Sequence, residues 1–99
     1  MPKIQVKLTT YCQKCNAGGN KLGTHNHTLQ PGDCAFINAP YGTQITVSWV
    51  ENGTTKSKTL TVRDIPGNAG IVDIWCPNGC PGACNGPKSW MIPNASAYW

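Results

Sequence analysis

Three residues, Cys34, Trp49 and Cys76, constrain the fold of this chain more than any others. Each lies in a short segment that reads as a β-strand, and around Trp49 the segment shows the period-two alternation of apolar and polar residues. When each segment is taken as a strand, all three side chains point to the same side as their apolar neighbours. The sequence therefore predicts an all-β fold, a small antiparallel β-sandwich, with these three residues in its interior.

The same alternation predicts five strands and almost no helix. Pro or Gly interrupts every segment that could place apolar residues at helical spacing over three turns. Asn52-Gly53 marks a hairpin turn, and the stretch from Asn52 to Thr55 predicts a loop wider than the two-residue minimum. The predicted strands begin near Lys3 and then cover Cys34 to Asn38, Gln44 to Glu51, Lys56 to Arg63 and Ile71 to Cys76.

The composition changes at Pro77, which divides the chain into a predicted sandwich domain, residues 1–76, and a predicted arm, residues 77–99. The arm is rich in Pro, Gly and Cys, and it carries Trp90, Tyr98 and Trp99. A regular strand is not expected there. Because exposed aromatic rings are costly in water, we expect an irregular arm that packs on its own domain or on a neighbouring one.

The region from residue 34 to residue 76 resembles an immunoglobulin-like β-sandwich. The resemblance implies a disulfide between Cys34 and Cys76 that joins the two sheets, with Trp49 packed against it. Two buried free thiols remain an alternative. The motifs that carry the resemblance are Cys34, Val47-Ser48-Trp49, Leu60-Thr61-Val62, and Ala69-Gly70 ahead of Cys76.

Two departures from the immunoglobulin pattern leave a differently connected sandwich open. Ile74 stands where the family places its corner tyrosine. The stretch between Trp49 and Leu60 leaves little room for the strands that would lie between them.

The other four cysteines allow a structural reading and a metal-binding one. In the structural reading, Cys12 and Cys15 are bridged to Cys80 and Cys84, although six cysteines allow 15 connectivities. A zinc site could instead combine Cys12 and Cys15 with the two histidines of the same loop, but one residue between the histidines is shorter than the usual spacing. We therefore expect no cofactor. The two histidines are His25 and His27.

Charge and hydropathy argue against two classes of partner. The net charge is +4, but the basic residues are spread along the chain without a cluster, so nucleic-acid binding is not expected. No apolar stretch approaches the roughly 18 residues of a membrane span, so membrane insertion is not expected either.

Six cysteines favour an oxidising compartment, extracellular or on a surface, although no signal peptide is visible at the start. Three Asn-x-Ser/Thr triplets are compatible with secretion but arise readily by chance in a chain rich in Asn and Thr. These triplets begin at Asn26, Asn52 and Asn94.

An enzymatic role is not expected. The four acidic residues show no pairing in the sequence, and no serine lies in a nucleophile-elbow motif. Two non-enzymatic roles remain.

In the first and favoured role, the protein is a structural or adhesive subunit of an extracellular, surface or virion assembly. It self-associates, or binds another protein, through the C-terminal arm with Trp90, Tyr98 and Trp99. In the second, it is a lectin-like module, in which tryptophans stack on sugar rings and polar side chains bind hydroxyls. The residues of that site are Trp75, Trp90, Asp73, Asn78 and Asn85.

Overall fold

The structure is a computed structural model that describes residues 2–12, 28–76 and 91–99, with the backbone alone for residues 11 and 12. Within these ranges the chain is all-β. Its six strands are β1 (Lys3–Cys12), β2 (Asp33–Ala35), β3 (Gln44–Glu51), β4 (Thr54–Asp64), β5 (Ile71–Cys76) and β6 (Met91–Tyr98). The predictions for β3 and β5 are confirmed at both ends; β3 alternates between buried and more exposed side chains, whereas the last three residues of β5 are all buried.

The six strands form one closed barrel in the order β1, β5, β2, β4, β3, β6. Two pairs are parallel, β1 with β5 and β2 with β4, and the other neighbours are antiparallel. The predicted sandwich is therefore wrong. A sandwich needs two sheets with free edges, whereas here β6 pairs with both β1 and β3 and closes the sheet on itself.

The barrel interior is filled by the apolar residues whose alternation predicted the strands. Each strand contributes side chains from one face, so the core is a single cluster rather than a layer between two sheets. Trp49 points inward as predicted and is only 3% exposed. Its indole Nε1 donates a hydrogen bond to Glu51 Oε1 at 3.0 Å, and Lys56 Nζ lies 3.6 Å from the same oxygen.

The disulfide implied by the immunoglobulin resemblance, Cys34 with Cys76, is wrong. Both residues are buried as predicted, but Cys34 carries a free thiol. Cys34 pairs with Ile74 on β5, so Cys76 lies two positions further along the neighbouring strand of the same sheet. Side chains in this diagonal relation lie about 7–8 Å apart, whereas a disulfide needs Cβ atoms about 3.8 Å apart.

The hairpin between β3 and β4 is tighter than the sequence predicted. Glu51 pairs with Thr54, so Asn52 and Gly53 alone form the turn. Their φ angles of 52° and 76° are those of a type I′ turn, which Asn-Gly favours. The wider loop predicted from Asn52 to Thr55 is therefore wrong, because Thr54 and Thr55 already belong to β4.

The C-terminal arm is not irregular over its described part. Residues 91–98 form β6, which the sequence did not predict because Pro93 interrupts the segment and alanine is uncommon in strands. Ala95 and Ala97 face the core. The ring of Trp99 meets Phe36 edge to face, with centroids 5.4 Å apart. These contacts fix the end of the chain to its own barrel.

Candidate functional site

The described residues form a small groove at the end of the barrel where β4 finishes. It encloses about 110 Å³ and is lined by Phe36, Ile37, Ala39, Tyr41, Val62, Asp64 and Ile65. These residues come from the loop between β2 and β3 and from the last residues of β4 and those that follow it.

The turn Pro40-Tyr41-Gly42 positions the aromatic ring of the groove. Gly42 has a φ of 87°, a conformation that favours glycine. Its amide donates to the carbonyl of Val62 at 2.7 Å, while Thr43 N donates to Pro40 O at 3.1 Å. The loop is thereby fastened to β4. As a result, Tyr41 is held beside the end of that strand.

The rim of the groove is apolar and exposed. Ile37, Tyr41 and Ile65 are 48%, 40% and 57% exposed, although each has a large hydrophobic side chain. The Arg63 guanidinium lies over the Tyr41 ring, with its central carbon 5.3 Å from the ring centroid, in a cation–π contact. Exposed apolar side chains grouped around a concave site are a common feature of binding surfaces.

Two carboxylates lie on either side of Ala35. Ala35 pairs with Asp73 on β5 and with Asp64 on β4. Because Cys34 pairs with Val62, the next pair skips Arg63, which forms a β-bulge. Thr9 Oγ1 donates a 2.8 Å hydrogen bond to Asp73 Oδ1. Asp64 Oδ1 accepts a hydrogen bond from Ile65 N at 2.9 Å.

Burial raises the pKa of Asp73 above its usual value. The hydrogen bond from Thr9 favours the charged form and opposes this shift, while the negative charge of Asp64 adds to it. The charge of Asp64 therefore acts on Asp73, a pairing that the sequence alone did not reveal because eight residues, the loop and the first two residues of β5, lie between them.

Asp33 and Cys34 have structural roles beside this pair. Asp33 Oδ2 accepts a hydrogen bond from Gln30 N at 2.9 Å, and Asp33 N donates to Gln30 O at 3.0 Å, which closes the turn before β2. Burial, with smaller contributions from the charges of Asp33 and Asp73, raises the pKa of the Cys34 thiol to about 12. Cys34 is therefore a protonated core residue at neutral pH, not a nucleophile.

Of the sugar-binding residues expected from the sequence, only Asp73 and Trp75 lie in the described part of the chain, both on the outer side of β5. Trp75 is on the outer side of β5, opposite to Ile74, but only 4% of it is exposed. Asp73, two positions earlier, contacts Thr9 as described above. Trp90, Asn78 and Asn85 lie outside the described residues.

The predicted cysteine bridges and the zinc alternative also fall largely outside the described part of the chain. This applies to the side chains of Cys12, Cys15, Cys80, Cys84, His25 and His27. Among the side chains that are described, no three from His, Cys, Asp and Glu form a group able to hold a metal ion.

Sequence reasoning missed Ile37, Tyr41, Asp64 and Ile65 as members of one site. The sequence did carry some signal for the apolar members. Ile37 lies on the face of its predicted strand opposite Cys34 and Phe36, Ile65 follows the predicted strand that ends at Arg63, and Tyr41 occupies a Pro-Tyr-Gly turn. What the sequence did not supply was the parallel pairing of β2 with β4, which brings both strand ends to the same end of the barrel.

Comparison with known proteins assigns no family to the chain: no family model, curated protein or solved structure matches it. Nothing in these comparisons bears on the immunoglobulin-like resemblance.

In the described residues there is no helix with the length and apolar character needed to cross a membrane.

Proposed function

We propose that the protein is an extracellular carbohydrate-binding module and that the sugar occupies the groove around Tyr41 and Asp64. The observation that carries this proposal is the combination, in one concave site, of a half-exposed aromatic ring, exposed aliphatic side chains and a carboxylate. Sugar rings offer apolar C–H faces to aromatic side chains and hydroxyls to carboxylates, so both parts of the groove have a chemical counterpart.

The size of the groove suits a single ring of a longer chain. Its volume of about 110 Å³ is well below the roughly 300–1,000 Å³ of sites for drug-sized ligands. One sugar unit would lie against Tyr41 with its hydroxyls towards Asp64, while the neighbouring units extend over the surface. The stacked guanidinium of Arg63 restrains the ring, which lowers the entropy lost on binding.

The proposed role is binding without catalysis. The structure gives less support than the sequence did to the hypothesis of assembly through the C-terminal arm. That hypothesis was based on the need of the aromatic arm for a partner that buries its rings. For Trp99 the partner is its own barrel, since its ring packs against Phe36, whereas Tyr98 pairs through its backbone with Lys3 and Thr46 and its side chain is partly buried.

A glycan array followed by calorimetric titration of the retained oligosaccharide tests the proposal. Tyr41→Ala is expected to weaken binding by about two- to twelvefold, since a stacking contact contributes roughly 0.5–1.5 kcal/mol. Asp64→Asn should also weaken binding, because a neutral amide is a poorer acceptor for sugar hydroxyls.

Val50→Ala is the matched control, because Val50 is a similarly exposed apolar residue on β3, far from the groove. It should bind like the unmodified protein. The proposal fails if no glycan is retained, or if Tyr41→Ala and Asp64→Asn bind as tightly as the Val50→Ala control.

A further inference from the structure

We infer that Asn52, at the tip of the β3–β4 hairpin, is a site of N-linked glycosylation. Asn52-Gly53-Thr54 is an Asn-x-Thr acceptor triplet without proline. This inference is independent of the carbohydrate-binding groove and depends only on passage of the chain through a eukaryotic secretory compartment. It concerns sugar attached to the protein, not sugar bound by it.

The structure presents this triplet openly. Asn52 and Gly53 are the two residues of the turn and are exposed, as is Thr54 at the first position of β4. No atom lies within 4 Å of the position that a Cβ on Gly53 would occupy, so the space around the tip is open. An oligosaccharide on Asn52 would therefore leave the strand pairing of the hairpin unchanged.

The triplet at Asn94 lies in a different environment. Asn94 belongs to β6, and its Oδ1 accepts a hydrogen bond from Gln5 Nε2 at 2.9 Å. Ser96, the third residue of that triplet, pairs with Gln5 on one side and Ser48 on the other. A glycan there would lie across the strands that close the barrel. The triplet that begins at Asn26 starts outside the described residues.

The position of Asn52 also keeps the attached glycan away from the groove. Asn52 precedes β4 and Asp64 ends it, so the strand separates them by on the order of 30 Å at about 3.3 Å per residue. Modification at the tip would enlarge and solubilise one end of the barrel while the other end stays accessible to a ligand.

The reaction needs a polyprenyl-pyrophosphate-linked oligosaccharide as co-reactant. The Asn52 side-chain nitrogen bonds to C1 of the first sugar, the bond between C1 and the pyrophosphate oxygen breaks, and the amide loses one proton. No oxidation or reduction takes place. The Thr54 hydroxyl is the part of the triplet that defines the acceptor.

The test is to secrete the full chain from a eukaryotic cell line behind a cleavable leader, and then to map the peptides before and after treatment with a peptide N-glycosidase. The expected result is glycan on Asn52, lost in Asn52→Gly and in Thr54→Ala. Glycine accepts the positive φ of position 52, so Asn52→Gly removes the acceptor while keeping the turn.

Two variants serve as controls. Thr55→Ala changes the next residue but keeps the triplet, and Asn94→Gln removes another triplet, so both should retain the glycan on Asn52. Secreted protein that carries no sugar on Asn52, or a glycan unaffected by Asn52→Gly, would overturn the inference.

Discussion

The outer surfaces on opposite sides of the barrel differ in charge and in burial. In the closed order of strands, β5 and β2 lie opposite β3 and β6. The outer side of β5 and β2 carries Asp33 and Asp73, yet Ala35 and Trp75 beside them are 3% and 4% exposed and belong to no part of the main core. We call this outer side of β5 and β2 the acidic face.

The outer side of β3 and β6 carries hydroxyl and amide side chains and no charged residue. Ser48 pairs with Ser57 on β4 and with Ser96 on β6, and Thr46 pairs with Thr59 and Tyr98. This side, the hydroxyl face, is partly or fully exposed. Both faces follow the same alternation along their strands. Their difference shows that alternation determines which side chains point out of the barrel, but not which of these side chains are exposed to water.

The largest expected effect is the loss of Trp75 from the acidic face. Trp75→Ala should lower the free energy of unfolding by about 3–5 kcal/mol, because it removes a large buried ring. Val50→Ala on the hydroxyl face should change it by less than about 0.5 kcal/mol. Urea denaturation followed by fluorescence measures both. A cost below about 1 kcal/mol for Trp75→Ala would show that the outer side of β5 is not packed.

The second expected effect is a pH dependence that arises from Asp73. Its folded-state pKa is raised above 3.8, so the folded chain holds the proton over a wider pH range than the unfolded chain. The stability due to this group is therefore fully present below pH 3.8 and is lost as the pH rises through the folded pKa. Asp73→Asn should raise the denaturation midpoint at pH 7 and leave it nearly unchanged at pH 3.

The control for this prediction is Asp64→Asn. Removing the charge of Asp64 relieves part of the repulsion, so the pH dependence due to Asp73 should weaken without disappearing. If Asp73→Asn lowered the midpoint at pH 7 and left it unchanged at pH 3, the charged form of Asp73 would be stabilised by its surroundings, and the predicted destabilisation by burial would be wrong.

The all-β class and five of the six described strands could be predicted because the strand pattern is local, whereas the sandwich was wrong. The local pattern of apolar residues and turns located β3 and β5 at both ends, and shared strand faces placed Cys34, Trp49 and Cys76 in the interior, where all three are found. Their partners could not be predicted in this way. Cys34 and Cys76 were expected on facing sheets, and they lie on adjacent strands of one barrel, a relation set by pairing between distant segments.

The candidate site depended on the same non-local information. Asp64 joins the groove because β4 runs parallel to β2, and Asp73 approaches Asp64 because β5 lies on the other side of β2. Closure by β6 was missed for a different reason. Ala95 and Ala97 are small, weakly apolar residues, and their place in the core depends on the pairing of β6 with β1 and β3 on either side.

Smaller effects than that of Trp75→Ala are expected when the same substitution removes one hydroxyl beside the acidic face, on β1, and one on the hydroxyl face. Thr9→Val removes the donor to Asp73 and should cost about 1.5–3 kcal/mol at pH 7, as expected for a hydrogen bond to a charged group. Thr46→Val on the hydroxyl face should cost less than about 0.5 kcal/mol. Both residues are partly buried strand threonines, and valine preserves their shape and strand preference, so the difference reports the hydrogen bond. The cost of Thr9→Val should also shrink at pH 3, where Asp73 is protonated in both states. The free energy of unfolding of both variants is measured by urea denaturation. Equal costs at pH 7 would show that the hydroxyl beside the acidic face stabilises the barrel no more than the one on the hydroxyl face.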